Sequence, residues 1–496
     1  MPSLLFLTQS THFKIDKRVF VDLNINLFFD DKTLETMSSI CFEDEIIARQ
    51  ELFRALENES FKKYLNDLRN ILLALSQKES AVKNAKSECE KYFQFRLLVE
   101  EYIHLLDHFS VMVIPSNCYF ISCLSNYAEQ NLKNYHRFRE LLNEYTNIIK
   151  IISFFKTTIT TKIIHLNIPQ NIGASVNDEI KNCAEDLGIS ISNSLRNFNN
   201  LRLTEDFSNA VISVFPNEFN KLSVLKKQAE MLMDLDVLNL KSEIDFYFSV
   251  LDLAIKAEKE KNIPHSYPQV ATIPKYVVKK AYDITLLAKN IDTIVPNDID
   301  FKKENSVYFL TGANGGGKTT YLRTCAVNLI LFLLGCPVFC EADSSSQSEI
   351  YPFHAIFTHF PTDEGYEATG RLEEEAKRVN NIVQHATEGV FAFFNESFSG
   401  ANEDIGEKLT FETATKLKEA GAFALFVTHF NKYNYGSFPI LNAVIDKTNE
   451  NKRTFLIRKS SAMEASYAND ILKKYGLDKK TLERKKILAQ NTESIL

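Results

Sequence analysis

A chain of 496 residues is too long for one hydrophobic core, and with 45% hydrophobic and 24% charged residues it has the make-up of a globular protein of two or three domains. A net charge of -7 excludes a protein that coats nucleic acid through bulk electrostatics, so any DNA contact has to be local or enclosing. Eight cysteines without a CxxC pair exclude a zinc ribbon or a disulfide framework and fit free thiols in a reducing cytoplasm.

In chain order, the first twenty residues have no basic start ahead of their short apolar run, so no export signal is expected. Two long glycine-free segments, Tyr119 to Phe155 and Glu218 to Lys261, carry apolar residues at helical spacing, which predicts extended amphipathic helices of ~50 Å or more. Between them, Thr157 to Ile172 is rich in β-branched residues and predicts a small strand-containing element. Pro264, Pro268 and Pro274 interrupt any helical period and mark a domain boundary.

Beyond that boundary the composition changes. Thirteen of the fifteen glycines lie between Gly312 and Gly476. Short β-type runs alternate with helical patterns: Ser306 to Thr311, Leu322 to Leu334, Val390 to Phe394, Leu409 to Ala420, and Ala422 to Thr428. That rhythm predicts a mostly parallel sheet with crossover helices. The most apolar stretch, Cys325 to Phe339, is interrupted by Asn328, Gly335 and Pro337. It is shorter than the ~18 residues that span a bilayer, so it predicts a buried helix and no membrane segment.

The strongest chemical signal is the run Gly312, Ala313, Asn314, Gly315, Gly316, Gly317, Lys318, Thr319, Thr320. It follows a strand and opens a helix, the setting that a G-x-x-x-x-G-K-[ST] phosphate loop requires. Glycines let backbone N–H groups turn inward as an anion nest, Lys318 reaches the outer phosphates of ATP, and the Thr319 hydroxyl is an Mg²⁺ ligand. A second apolar strand delivers Asn395 and Glu396, where such ATPases place an acidic pair. Asn395 is then a weaker metal ligand than a carboxylate, and Glu396 polarises the attacking water. A third strand delivers His429, a γ-phosphate sensor candidate, to the sheet's carboxyl end.

With these motifs in order, TGANGGGKTTYLR resembles the nucleotide loop of the MutS family, with Ala313 and Gly315 as departures. Val295 to Asp298 is similar to the family's PND element and Thr428-His429-Phe430 to its THY element. Ala465 to Ala468 is similar to its closing segment, and Asp44 to Leu56 resembles the start of its lever domain. The resemblance implies a short N-terminal segment (1–40), a helical core and lever domain (41–265), an ABC-like P-loop ATPase domain (273–478) and a tail (479–496). It also implies a homodimer that closes on DNA with ATP and Mg²⁺. No mismatch-reading wedge is visible in the residues before the levers.

Carried over residue by residue, the family's adenine-stacking position falls on Ile294, which has no π face, and Asn297 keeps the amide. The trans-acting loop falls near Arg371, which either acts as a charge-stabilising finger or pairs with a neighbouring glutamate. The dimer-crossing loop after the acidic pair contains Ser399. The absence of an LSGGQ-like signature before Glu396 disfavours a transporter or SMC-type ATPase. Asn395, Ile294 and the missing trans serine leave a nucleotide-binding structural clamp with little turnover as the alternative to an ATPase.

Overall fold

The computed structural model describes residues 13–460 except 113–117, 154–155, 161–162, 168–204, 290, 292, 342–347, 362–367, 399–400, 430–437 and 446–452. These form two compact units, one of residues 55–245 and one that joins residues 5–54 to residues 246–496. The chain therefore passes between the units at the end of the helix Glu43–Ala55 and within the helix Leu240–Lys261, and the proline-rich stretch lies inside the second unit. The N-terminal helices α1 (Lys17–Asp22), α2 (Asp31–Met37) and α3 (Glu43–Ala55) belong to that second unit.

The first unit is helical. It contains α4 (Glu59–Lys83), α5 (Glu88–Ser110), α6 (Tyr119–Leu132), α7 (Tyr135–Ser153), the hairpin of β1 (Lys156–Thr160) and β2 (Ile163–Asn167), α8 (Glu205–Val214) and α9 (Pro216–Leu232). Helix α5 is its axis, packing on α4, α6, α7, α8 and α9 through a stripe that includes Phe95, Leu98, Tyr102, Leu106 and Phe109. Asn58 and Ser87 start α4 and α5 by accepting hydrogen bonds from first-turn N–H groups, so each helix begins where a capping side chain stands.

Both long helices expected from periodicity are in fact broken. The first divides at Lys133 and Asn134, where Asn134 takes the first carbonyl position of α7 and accepts the Phe138 N–H at 3.0 Å. The second divides after Leu232, where Met233 turns extended and Asp234 caps a short 3-10 turn before α10 (Leu240–Lys261). Asp234 also accepts a hydrogen bond from the Tyr127 hydroxyl at 2.9 Å and donates its N–H to the Tyr102 hydroxyl at 3.1 Å. Periodicity runs straight through both points because local backbone bonds at Asn134 and tertiary hydrogen bonds at Asp234, not a loss of apolar spacing, mark where the chain turns. The strand-containing element expected near residue 157 is the β1–β2 hairpin, with Thr160 opposite Ile163.

The second unit is α/β with two mixed sheets. Its remaining elements are β3 (Gln269–Val270), β4 (Lys275–Ala281), β5 (Asn297–Lys302), β6 (Val307–Gly312), α11 (Lys318–Leu333), β7 (Glu349–Ile350), β8 (Ala355–His359), α12 (Ala368–Gln384), β9 (Val390–Asn395), α13 (Glu403–Glu419), β10 (Phe423–Val427), β11 (Ile440–Ile445) and β12 (Arg453–Ser460). The larger sheet runs β12-β11-β6-β10-β9-β8, parallel throughout except for the edge strand β12. The smaller sheet, β3-β7-β4-β5, was not anticipated from the sequence.

The alternation of side chains along the strands sorts the larger sheet into two faces. Val307, Phe309, Ala392, Phe394, Ala424 and Phe426 form one cluster with Val379 and Ile382 of α12 and Ala414 and Leu417 of α13. Rings from the smaller sheet, Tyr276 and Phe301, meet Phe391 edge-on. Helix α11 touches β4 as well as β6, β9 and β10, and its side chains are buried nearly all round, as the apolar run from Cys325 predicts. Its end is closed by Gly335, at φ +68, and by the fully buried Arg49 of α3, which donates to the Leu334 carbonyl at 3.0 Å. Among the described residues no helix is long and apolar enough to cross a membrane, and no cluster of metal-ligating side chains is found.

Candidate functional site

The parallel strands β6, β9 and β10 end side by side, and each hands one functional segment to the same rim. Loop 312–317 between β6 and α11 needs glycine at three positions. Gly312 and Gly317 have φ of +115 and +94, values that side-chain-bearing residues rarely adopt. At Gly316 a Cβ would lie 2.9 Å from both the Ala313 carbonyl oxygen and the Ala443 Cβ. The loop ends at the N-terminus of α11, so free N–H groups and the positive end of the helix dipole face the same place.

Lys318 is buried, and its ammonium folds back to donate to the Gly312 carbonyl at 2.8 Å, the Ala313 carbonyl at 3.2 Å and Asn314 Oδ1 at 3.4 Å. Burial pulls its pKa below the usual lysine range, with the like charge of Arg453 adding to that and Glu396 opposing it. Thr319 follows on the first turn and donates its hydroxyl to Asn395 Oδ1 at 3.0 Å. Two neutral hard oxygens, from α11 and from the end of β9, therefore stand together. Thr320, half-buried, continues the helix and accepts the Thr324 hydroxyl at its carbonyl.

Glu396 follows Asn395 with φ +50, and its N–H donates to the Val427 carbonyl at 2.9 Å. Phe398, two residues on, has φ +61. Left-handed backbone at residues with bulky side chains costs about 1–3 kcal/mol each and collects at functional sites. The carboxylate Oε1 lies 2.8 Å from Nε2 of His429, which β10 delivers from the neighbouring strand. That hydrogen bond, helped by the charge of Lys318, holds the Glu396 carboxyl below its usual range against the opposing effect of burial.

The structure thus brings Lys318, Thr319, Asn395, Glu396 and His429 to one rim. It gives Asn297 another neighbourhood, since its amide is bonded to β12, donating to the Phe455 carbonyl at 3.0 Å and accepting the Ile457 N–H at 2.8 Å. Ile294 is buried. Arg371 lies in the first turn of α12, and Ser399 lies outside the described residues, as do Phe430 and the segment from Ala465 to Ala468.

Sequence reasoning missed three residues here. Phe455 has φ +57 and is 47% exposed, and its ring would stand 3.4 Å from a Cβ at Gly317, so an aromatic face adjoins the glycine loop. His359, at the end of β8, is fully buried and joined by Nδ1 to the Ser397 hydroxyl at 2.6 Å. Glu375 of α12 accepts the Phe398 N–H at 2.9 Å. No local pattern announces these residues, because each partner is more than twenty positions away in sequence.

A helical unit, and an α/β unit whose charged, amide and imidazole side chains meet at the carboxyl ends of parallel strands, define a class: an α/β protein with a glycine loop opening a buried helix. Residues 308–492 match the family model for MutS domain V, which covers most of the rim just described. This match, together with relatives named MutS2 and MutS, supports membership of the MutS family. It is 23% identical over 273 residues to an endonuclease MutS2 of Geobacillus sp. strain WCH70, covering 53% of this chain and 32% of that protein. It is 25% identical to an endonuclease MutS2 of Staphylococcus saprophyticus, covering 52% and 32%. It is 27% identical to a DNA mismatch repair protein MutS of Lactobacillus delbrueckii, covering 40% and 24%. The matched stretch spans about a third or less of the length of these relatives.

Proposed function

We propose that this chain is a MutS-type ATPase that binds ATP at the 312–319 loop and uses it to open and close a homodimeric clamp on DNA. The observation that carries this reading is the meeting of Thr319 with Asn395 and of Glu396 with His429 across three adjacent strand ends. In this reading the loop N–H groups and Lys318 hold the phosphates, with Lys318 exchanging its loop carbonyls for phosphate oxygens. Glu396, kept ionised by its histidine, orients the attacking water, and His429 lies one hydrogen bond from it, placed to sense the γ-phosphate.

The donor set fits Mg²⁺, since Thr319 and Asn395 offer hard oxygens, although neither carries charge. Bound there, the ion would neutralise charge on the phosphates. Phe455 supplies the exposed ring beside the loop that Ile294 does not. Arg371 and the loop that contains Ser399 are the candidates for contact across the dimer.

Asn395 favours one second reading, a nucleotide-gated clamp with little turnover. Steady-state ATP hydrolysis by the purified protein, with and without homoduplex, mismatched and branched DNA, separates the two. Lys318→Ala is expected to weaken ATP binding by about 100-fold, since charge-assisted hydrogen bonds are worth about 1.5–3 kcal/mol. Glu396→Gln is expected to keep ATP bound and stop turnover. Hydrolysis by Glu396→Gln at the unaltered rate would remove Glu396 from its role, and tight ATP binding without any turnover in the unaltered protein would favour the gated clamp.

A further inference from the structure

The turn that presents Glu396 is held in an unusual way. Its backbone is left-handed at Glu396 and again at Phe398, with no glycine at either position to accommodate it. Glycine loops keep such a shape by intrinsic preference, but this turn has to be kept in it by its surroundings. Two buried side chains from outside the turn supply that hold. His359, at the end of β8, is bonded to the Ser397 hydroxyl at 2.6 Å, and Glu375, on α12, accepts the Phe398 N–H at 2.9 Å. His359, Glu375, Ser397 and Phe398 are all buried, and the Phe398 ring packs into the cluster under α12 and α13.

A buried carboxylate receiving a backbone N–H and a buried imidazole holding a hydroxyl are costly unless the bonds are made, so these two contacts are structurally demanding. They grip the two residues directly after Glu396, while the Glu396 N–H itself is fixed to the Val427 carbonyl. The backbone is thus tied on both sides of the carboxylate, leaving its side chain free to reach His429.

We propose that His359 and Glu375 are positioning residues for Glu396, fixing the Glu396–Phe398 turn so that the carboxylate stays against His429 and at the height of the attacking water. This rests on the reading of Glu396 given under the proposed function. It assigns to β8 and α12 a part in turnover. Because Glu375 lies one helical turn beyond Arg371 on α12, it also makes the placement of that helix a condition for a competent Glu396.

The test uses full-length protein and pairs each disruptive change with a conservative one. Ser397→Ala and Glu375→Met remove a hold; Glu375→Gln keeps an acceptor, and His359→Asn keeps a polar atom near Nδ1. Disruptive variants are expected to lose about tenfold or more in kcat, the scale of a small misplacement of a catalytic group, with KM for ATP within about threefold of the unaltered protein. Glu375→Gln is expected to restore most of kcat. In ¹⁵N spectra of labelled histidine, recorded without nucleotide, the His429 resonance is expected to shift in Ser397→Ala and Glu375→Met and to stay in place in Glu375→Gln. Unchanged kcat and an unmoved His429 resonance in folded Ser397→Ala and Glu375→Met would overturn the proposal, as would an equal loss in Glu375→Gln. If the unaltered protein shows no turnover, the ATPase reading fails and the histidine spectra alone decide the positioning.

Discussion

Two strand ends of the larger sheet, those of β6 and β9 on either side of β10, solve the same problem by opposite means. Both carry the chain through left-handed backbone on the sheet's rim. The loop after β6 does so with Gly312, Gly315 and Gly317, whose conformations need no outside support. The turn after β9 does so with Glu396 and Phe398, which need His359, Glu375 and a buried ring. The first device is local and survives as a motif; the second is spread over three elements and can be lost by a change far from it in sequence. A binding loop can thus be written in one stretch of chain, whereas the precise placement of one carboxylate is written in the packing around it.

The sharpest way to break the comparison is to give the second turn the chemistry of the first. Phe398→Gly removes the conformational penalty but also a ring that is 2% exposed, and loss of a buried Phe costs about 3–5 kcal/mol. Net destabilisation of about 3 kcal/mol is expected from urea unfolding, and a gain in stability would mean that local strain, not packing, dominates there. The reverse exchange is Gly316→Ala. Its Cβ would meet backbone and Ala443 at 2.9 Å, so the loop must shift, and ATP binding is expected to weaken by about tenfold to 100-fold. Gly315→Ala has open space around it and only its φ of +69 against it, at about 1–2 kcal/mol of strain, so it is expected to do less.

A pH series sharpens the comparison further. Burial, with the charge of Arg378, lowers the pKa of His359 from 6.5 to about 3, so the folded state keeps it neutral while the unfolded chain binds a proton below pH 6.5. Its contribution is fully present above pH 6.5 and is lost as pH falls toward 3, by about 2 kcal/mol between pH 7 and pH 5. His359→Asn is expected to flatten that part of the stability profile, and an unchanged slope would place the titration elsewhere. The smallest effect expected is that of Asn395→Asp, which adds charge beside the Thr319 hydroxyl. A several-fold fall in the Mg²⁺ concentration giving half-maximal turnover is expected, read from a metal titration of ATP hydrolysis.

The sequence made part of this molecule legible and hid the rest for physical reasons. The run from Val307 to Thr319 could be read because strand, glycine loop and helix are consecutive and each is shaped by its own residues. The helix from Lys318 could be read as buried because apolar residues cover it on every side. The smaller sheet could not, since β3 and β7 are two residues long and find their partners across gaps of 72 residues or more. The breaks at Asn134 and Asp234 were hidden by unbroken apolar spacing. His359 carried no local signal because its partner, Ser397, is 38 residues away, and Asn297 gave no sign that its amide would be bonded to β12.

The division of the α/β unit between residues 5–54 and 246–496 has a consequence for how the protein is made. Arg49 closes α11 by a bond to Leu334, 285 positions later, and the Thr358 hydroxyl donates to Asp22, 336 positions earlier. On a ribosome that adds residues from the N-terminus, the first helices leave the exit tunnel long before the strands and helices they complete. The helical unit, continuous from 55 to 245, is free to form in that interval with its mostly local contacts, while Phe20, Phe53 and the buried face of α3 await their neighbours. Nascent chains of this protein therefore carry an unfinished apolar arm through most of synthesis, the kind of segment that holdase chaperones recognise.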